Sequence, residues 1–86
     1  MKRYSVVLTK SAEKELYKLP LDVIPKIVSA LKGLEENPRP EGCKKLKGFK
    51  NLWRIRIGNY RAIYSIEEIV LLVDVRDIGN RKDIYN

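Results

Sequence analysis

The stretch Leu52-Trp53-Arg54-Ile55-Arg56-Ile57-Gly58-Asn59-Tyr60-Arg61-Ala62-Ile63-Tyr64 decides how this chain folds. Successive side chains of a strand point to opposite faces, so alternating apolar and basic residues make a two-faced ribbon. Trp53, Ile55 and Ile57 form an apolar face, and Arg54 and Arg56 point the other way. Gly58-Asn59 reads as the two-residue turn of a tight hairpin. Tyr60, Ala62, Tyr64 and Ile66 continue the apolar face, with Arg61, Ile63 and Ser65 behind them. Glu67-Glu68 marks another turn. Ile69 to Ile78 then reads as a longer strand, with Leu71, Val73 and Val75 inward and Asp74 and Arg76 outward. An antiparallel meander of this kind buries one face and leaves the other open. The arginines belong to the open face.

Upstream of the ribbon, the periodicity changes. Tyr4 to Leu8 is apolar and β-branched, as in a strand. Thr9 or Ser11 can cap a helix whose first turns carry Glu13 and Glu15, where the helix dipole favours negative charge. Ala12, Leu16 and Leu19 share one face of it, and Pro20 ends it. A second helix carries Ile24, Ile27, Val28, Leu31 and Leu34 at helical spacing; Pro25 suits its first turn and Asn37-Pro38 stops it. So short a break implies an antiparallel helical hairpin. Pro and Gly between Arg39 and Gly42 mark a loop. The expected architecture is α+β and a single domain over residues 1–86. An N-terminal strand is followed by an antiparallel helical hairpin packed on one face of an antiparallel β-meander, in the order β-α-α-β-β-β-β.

The charge of the chain is concentrated in one segment. Between Gly42 and Ile66 lie seven basic residues (Lys44, Lys45, Lys47, Lys50, Arg54, Arg56, Arg61) and no acidic one. The chain carries 18 Lys+Arg against 11 Asp+Glu, a net charge of +7, and removing those seven leaves a neutral remainder. Like charges brought together repel, so this clustering is the footprint of a polyanion-binding surface, nucleic acid first among the candidates. The bland alternative is a solvated basic face with no dedicated partner.

Composition narrows the chemistry. With 44% hydrophobic and 34% charged residues the chain is globular. The longest apolar run, Ile69 to Val73, is too short to span a bilayer, and no leader pattern opens the sequence, so an intracellular, cytoplasmic protein is expected. There is no histidine and only one cysteine, Cys43. That leaves no ordinary zinc or haem site and no internal disulfide, and no cofactor is expected. It also excludes histidine-pair nucleases and Ser-His-Asp hydrolases. Cys43 has no imidazole to activate it and reads as an ordinary loop cysteine. Tyr60, Tyr64 and Trp53 fall on the buried alternation and read as core aromatics, while Asp74 and Arg76 are placed to pair with each other.

The ribbon Leu52 to Tyr64 resembles the central hairpin of the RelE/ParE toxin superfamily. Lys45-Leu46-Lys47-Gly48 resembles the short strand that follows the helical hairpin in that family. Val73-Asp74-Val75 and Gly79-Asn80-Arg81-Lys82-Asp83-Ile84-Tyr85 resemble its final strand and basic-aromatic tail. The resemblance implies a RelE-like fold and a type II toxin of the RelE kind, a ribosome-dependent endoribonuclease cutting mRNA without a metal. In such enzymes the ribose 2′-OH attacks the adjacent phosphate, leaving a 2′,3′-cyclic phosphate and a free 5′-OH. Carried over position by position, Arg54 and Arg56 occupy the two basic sites of the central strand. Arg61 matches the arginine after the hairpin turn, Arg81 and Tyr85 the tail arginine and tyrosine, and Lys47 a basic residue on the RNA backbone. Lys44, Lys45 and Lys50 join Lys47 as RNA-binding residues.

Elementary chemistry agrees with these roles. The pentacoordinate phosphate gains negative charge, and fixed guanidinium groups stabilise it more than the ground state. Arginine offers two planar bonds to phosphate oxygens and keeps its charge, which also bars it from acting as a general base. Tyr85, Lys47 or Asp74 can take that role, or positioning and electrostatics alone suffice. The same fold serves ParE-type gyrase poisons and would also suit an inactive nucleic-acid-binding member; Arg61, Arg81 and Tyr85 together favour the nuclease. The partners implied are a cognate antitoxin protein, the ribosome and mRNA, with no membrane.

Overall fold

A computed structural model describes residues 3–80 of the chain. The element order is β1 (Ser5–Leu8), α1 (Lys10–Tyr17), α2 (Ile24–Gly33), β2 (Lys44–Lys45), β3 (Trp53–Ile57), β4 (Tyr60–Glu67) and β5 (Leu72–Asn80). It is the expected α+β arrangement. The sheet runs β1-β5-β4-β3-β2. Strands β2 to β5 form the antiparallel meander, and β1 adds a parallel edge beside β5, so the complete sheet is mixed. No described helix is long and apolar enough to cross a membrane.

The two helices close one face of the sheet. Thr9 caps α1 through its side-chain oxygen, which accepts the Ala12 N–H at 3.1 Å. Pro25 sits in the first turn of α2, where its missing N–H costs nothing. Ala12 and Leu16 from α1 and Ile27 and Leu31 from α2 meet Ile55, Ala62, Tyr64, Ile66, Val73, Val75 and Ile78 from the sheet, with Leu34 closing the core just beyond α2. Trp53, Ile57 and Tyr60 pack on its margin. Tyr64 is fully buried and donates its hydroxyl to the Pro38 carbonyl at 2.7 Å, tying the loop after α2 to the middle of the sheet. Burial raises the pKa of this phenol, helped by the neighbouring Cys43 thiol.

The last strand departs from the expected pattern. It begins at Leu72, not Ile69: Ile69 and Val70 are exposed in the β4–β5 turn, and Leu71 takes a left-handed φ of 52°. Within β5 the register slips, since Tyr64 pairs with Val75 but its neighbour Ile63 pairs with Asp77. Arg76 is therefore the extra residue of a β-bulge, and beyond it inward and outward positions exchange. Ile78 becomes core and Asp77 turns to the open face. The strand also continues to Asn80, through residues expected to start the tail.

The β3–β4 hairpin is as expected. Ile57 pairs with Tyr60 around Gly58-Asn59, and Gly58 holds a φ of 61°. A positive φ at the first turn position is natural for glycine, which explains why the order Gly-Asn works here.

Candidate nucleic-acid interface

Directly opposed residues of an antiparallel pair share a face, so the strand register assigns the open side of the sheet row by row. Lys44 of β2 faces Arg54 of β3, Arg54 faces Ile63 of β4, and Ile63 faces Asp77 of β5. In the next row toward the hairpin turn, Arg56 faces Arg61, and Arg61 faces Gly79. A lysine and three arginines thus occupy two adjacent rows. Like charges directly opposite one another destabilise a strand pair, and a polyanion lying over both rows would offset that repulsion.

The sites read from the sequence fall into distinct environments. Arg56 is exposed and Arg61 is half-buried. Lys44 and Lys45 form the short, exposed strand β2, while Lys47 and Lys50 lie exposed on the connection from β2 to β3. Arg81 and Tyr85 lie outside the described residues. Arg54 differs from expectation: it belongs to the open face, yet it is only 5% exposed. It stands in one row between Lys44 and Ile63 and lines two concavities, of about 360 and about 450 Å³. Its Nε is buried without a hydrogen-bond partner. A buried, unsatisfied guanidinium donor is costly, and a phosphate oxygen is the acceptor best matched to it.

The carboxylate that shares a row with Arg54 is not the one sequence pattern favours. Asp74 faces Ser65, beyond the arginine rows, and pairs with Arg76 at 3.2 Å. That Asp74–Arg76 contact was expected from their common strand face. Asp77 instead shares the row of Arg54 and Ile63 and lies diagonally from Arg61. Uninterrupted alternation from Val73 and Val75 would turn Asp77 inward; the bulge at Arg76 brings it out. Lys47 sits in a turn with Gly48, whose φ is 83°, and is exposed.

Asn51 and Arg39 anchor the interface from behind. The Asn51 amide donates to the Ile66 carbonyl at 2.8 Å and accepts from the Trp53 indole at 3.3 Å and the Ile66 N–H at 3.4 Å. One side chain thereby fixes the entry of β3 against the far end of β4. The Arg39 guanidinium lies 4.7 Å from the Trp53 ring centroid and bonds Glu68 at 2.7 Å. Neither role has a periodic signature in the sequence. Phe49 was also missed: it is 56% exposed and lines the larger concavity beside Arg54 with Lys44, Lys45, Leu46 and Lys47. An aromatic set among lysines was its only sequence cue.

Comparison with known proteins agrees with the fold. The family model for the ParE toxin of the type II toxin–antitoxin system parDE matches residues 6–85. A RelE-type toxin of Methanocaldococcus jannaschii is 29% identical over 86 residues, covering 96% of each chain. Toxin RelG of Mycobacterium tuberculosis is 29% identical over 83 residues, covering 95% of each. Among solved structures, the RelE–RelB complex of Pyrococcus horikoshii OT3 superposes with a TM-score of 0.81 at 29% identity, covering 94% of this chain and 97% of that one.

Proposed function

The chain belongs to the ParE toxin family of type II toxin–antitoxin systems, and from that premise we propose that it is a toxin of the RelE kind, an endoribonuclease acting on mRNA in the ribosome. The observation that carries the reading is the pair of rows Lys44–Arg54 and Arg56–Arg61, four cations on the face of the sheet opposite the helices. The ribose 2′-OH attacks the neighbouring phosphorus in line, the 5′-oxygen leaves, and a 2′,3′-cyclic phosphate remains. As the phosphorane gains charge, Arg56 and Arg61 bond its equatorial oxygens; Arg54, already desolvated, adds a donor whose strength is not spent on water. Lys44, Lys45, Lys47 and Lys50 hold the flanking phosphates and supply most of the affinity. Asp77, in the row of Arg54, is placed to orient a hydroxyl; Arg81 and Tyr85, outside the described residues, are assigned to the same chemistry by the family resemblance. This chemistry needs no metal and takes place in the cytoplasm, where the ribosomes are.

The RelE chain of Pyrococcus horikoshii was solved with RelB. By analogy, this toxin is held by a cognate antitoxin, and the +7 charge of the chain favours an acidic segment that covers the basic face.

The deciding experiment is primer extension on mRNA in programmed ribosomes after adding purified toxin, with the new 3′ ends analysed chemically. Cleavage within the A-site codon leaving cyclic phosphate is expected. Intact mRNA, together with accumulating gyrase–DNA cleavage complexes, would replace this reading with gyrase poisoning.

A further inference from the structure

We propose that the concavity between the β2–β3 connection and Arg54 is a nucleotide-stacking subsite, where a base of single-stranded RNA lies on the Phe49 ring while its phosphate bonds Arg54. The proposal takes its substrate class from the ribonuclease reading above and adds a base-binding element to it.

Phe49 has no structural employment. It is 56% exposed and absent from the side chains packed on the core. The turn at Lys47-Gly48, with its left-handed glycine, delivers the ring to the surface immediately afterwards. A scattered exposed apolar residue needs no explanation, but this one borders a concavity of about 450 Å³ whose other walls are Lys44, Lys45, Leu46, Lys47 and Arg54. That volume lies within the range of small-ligand sites, about 300–1,000 Å³. The walls are apolar or cationic only.

Arg54 supplies the second observation. It is 5% exposed, and its Nε has neither a protein acceptor nor access to solvent. Arg54 lines the concavity, and a phosphate there, able to accept two parallel bonds from a guanidinium, is the ligand best matched to it. The ligand must therefore present a planar apolar face to Phe49 and an anion to Arg54. An unstacked nucleotide has both, and ring stacking beside cationic phosphate contacts is how single strands are held.

The test uses the full chain and a fluorescein-labelled 2′-O-methyl hexauridylate, which lacks the attacking hydroxyl and so reports binding alone. Anisotropy is read over a series of salt concentrations. Phe49→Ala is expected to raise Kd about tenfold, the scale of one lost stack, with the salt slope unchanged because no phosphate contact is lost. Phe49→Trp restores the affinity and Phe49→Leu does not. Arg54→Gln weakens binding and flattens the slope by about one. Thermal unfolding of Phe49→Ala matches wild type, since the ring is outside the core. Wild-type affinity in Phe49→Ala or Phe49→Leu overturns the subsite, as does a wild-type chain that fails to bind the oligonucleotide. Unchanged RNA affinity with weakened antitoxin binding would make the groove a protein-docking site and overturns it equally. Cleavage of ribosome-bound mRNA is assayed in parallel. Its absence in wild type defeats the ribonuclease reading, whereas its presence with indifferent Phe49 variants defeats the subsite alone.

Discussion

Arg56 and Arg61 stand directly opposite each other across the β3–β4 hairpin, one row from its turn. Two guanidinium groups held at this spacing repel, and neither belongs to the apolar core. Their proximity is useful once a phosphate lies between them, because each can then bond a different oxygen of the same group.

Arg61→Ala is accordingly expected to lower single-turnover cleavage at saturating ribosome by about 10²-fold, the usual scale for deleting one preorganised donor. Urea unfolding of the variant is read alongside the rate, because Arg61 is half-buried and a loss of fold stability must be separated from a loss of catalysis. Arg61→Lys keeps the charge without the planar fork and should recover only part of the rate. Unchanged single-turnover rates in Arg61→Ala, with an unchanged circular dichroism spectrum, would remove Arg61 from the site.

Thr9 joins the helical layer to the irregular point of the sheet. Its hydroxyl oxygen accepts from Ala12 N–H and its proton is donated to the carbonyl of Arg76, the bulged residue, at 3.3 Å. Thr9→Ala removes both bonds and should cost about 1–2 kcal/mol in urea unfolding; Thr9→Ser, which keeps both, should cost far less. Hydrogen exchange at the Ala12 amide should accelerate in the alanine variant and stay slow in the serine variant. Equal destabilisation by the two would assign the effect to the lost methyl group.

That same bulge marks where sequence reasoning stops. The alternation through Trp53, Ile55 and Ile57 and on through Tyr60, Ala62 and Tyr64 is unbroken, so β3, β4 and their arginine face follow directly from it. The helices follow from Ala12 and Leu16, and from Ile27, Leu31 and Leu34, at helical spacing. An extra residue in β5 leaves no local trace, because Val75-Arg76-Asp77-Ile78 is compatible with either continuous alternation or a slip. What decides is tertiary: Ile78 reaches the core only if Arg76 is skipped, and that skip places Asp77 beside the arginines. The parallel pairing of β1 with β5 is equally invisible, since it joins residues at opposite ends of the chain. Burial of Arg54 depends on what flanks it in the folded sheet, which alternation does not describe.

Tyr64 makes stability depend on alkaline pH. Burial holds its phenol protonated well above the ordinary value near 10. In the unfolded chain it ionises near pH 10; in the folded chain it retains its proton, so the folded state binds more protons and stability falls as pH rises. The stabilisation is complete below pH about 10 and is lost progressively above it. Tyr64→Phe leaves the Pro38 carbonyl without its donor and should cost about 1–2 kcal/mol at pH 7. The difference between wild type and variant should shrink as pH is raised from 9 to 11, read from urea midpoints. A constant difference over that range would show that Tyr64 does not drive the alkaline loss.

Arg54 sets stability against activity most sharply. The side chain is buried with an unpartnered Nε, and no described carboxylate lies within ion-pairing distance of it. Desolvating a charge costs several kcal/mol, and a well-packed apolar replacement of a buried ion often stabilises a protein by about 1–4 kcal/mol. Arg54→Met has similar length and flexibility, and the neighbouring Ile63 offers it an apolar contact across the row. The free variant should therefore unfold at higher urea than wild type while losing RNA affinity and cleavage. Arg54→Lys should keep part of the binding, because an ammonium still attracts phosphate but cannot present two parallel donors. The antitoxin complex offers an independent check: if the antitoxin supplies the missing acceptor, the stability gain from Arg54→Met should vanish in the complex, since wild type is then satisfied as well. A free Arg54→Met protein that unfolds earlier than wild type would mean that the guanidinium is already satisfied within the fold, and that its burial is structural and not a reserve for phosphate.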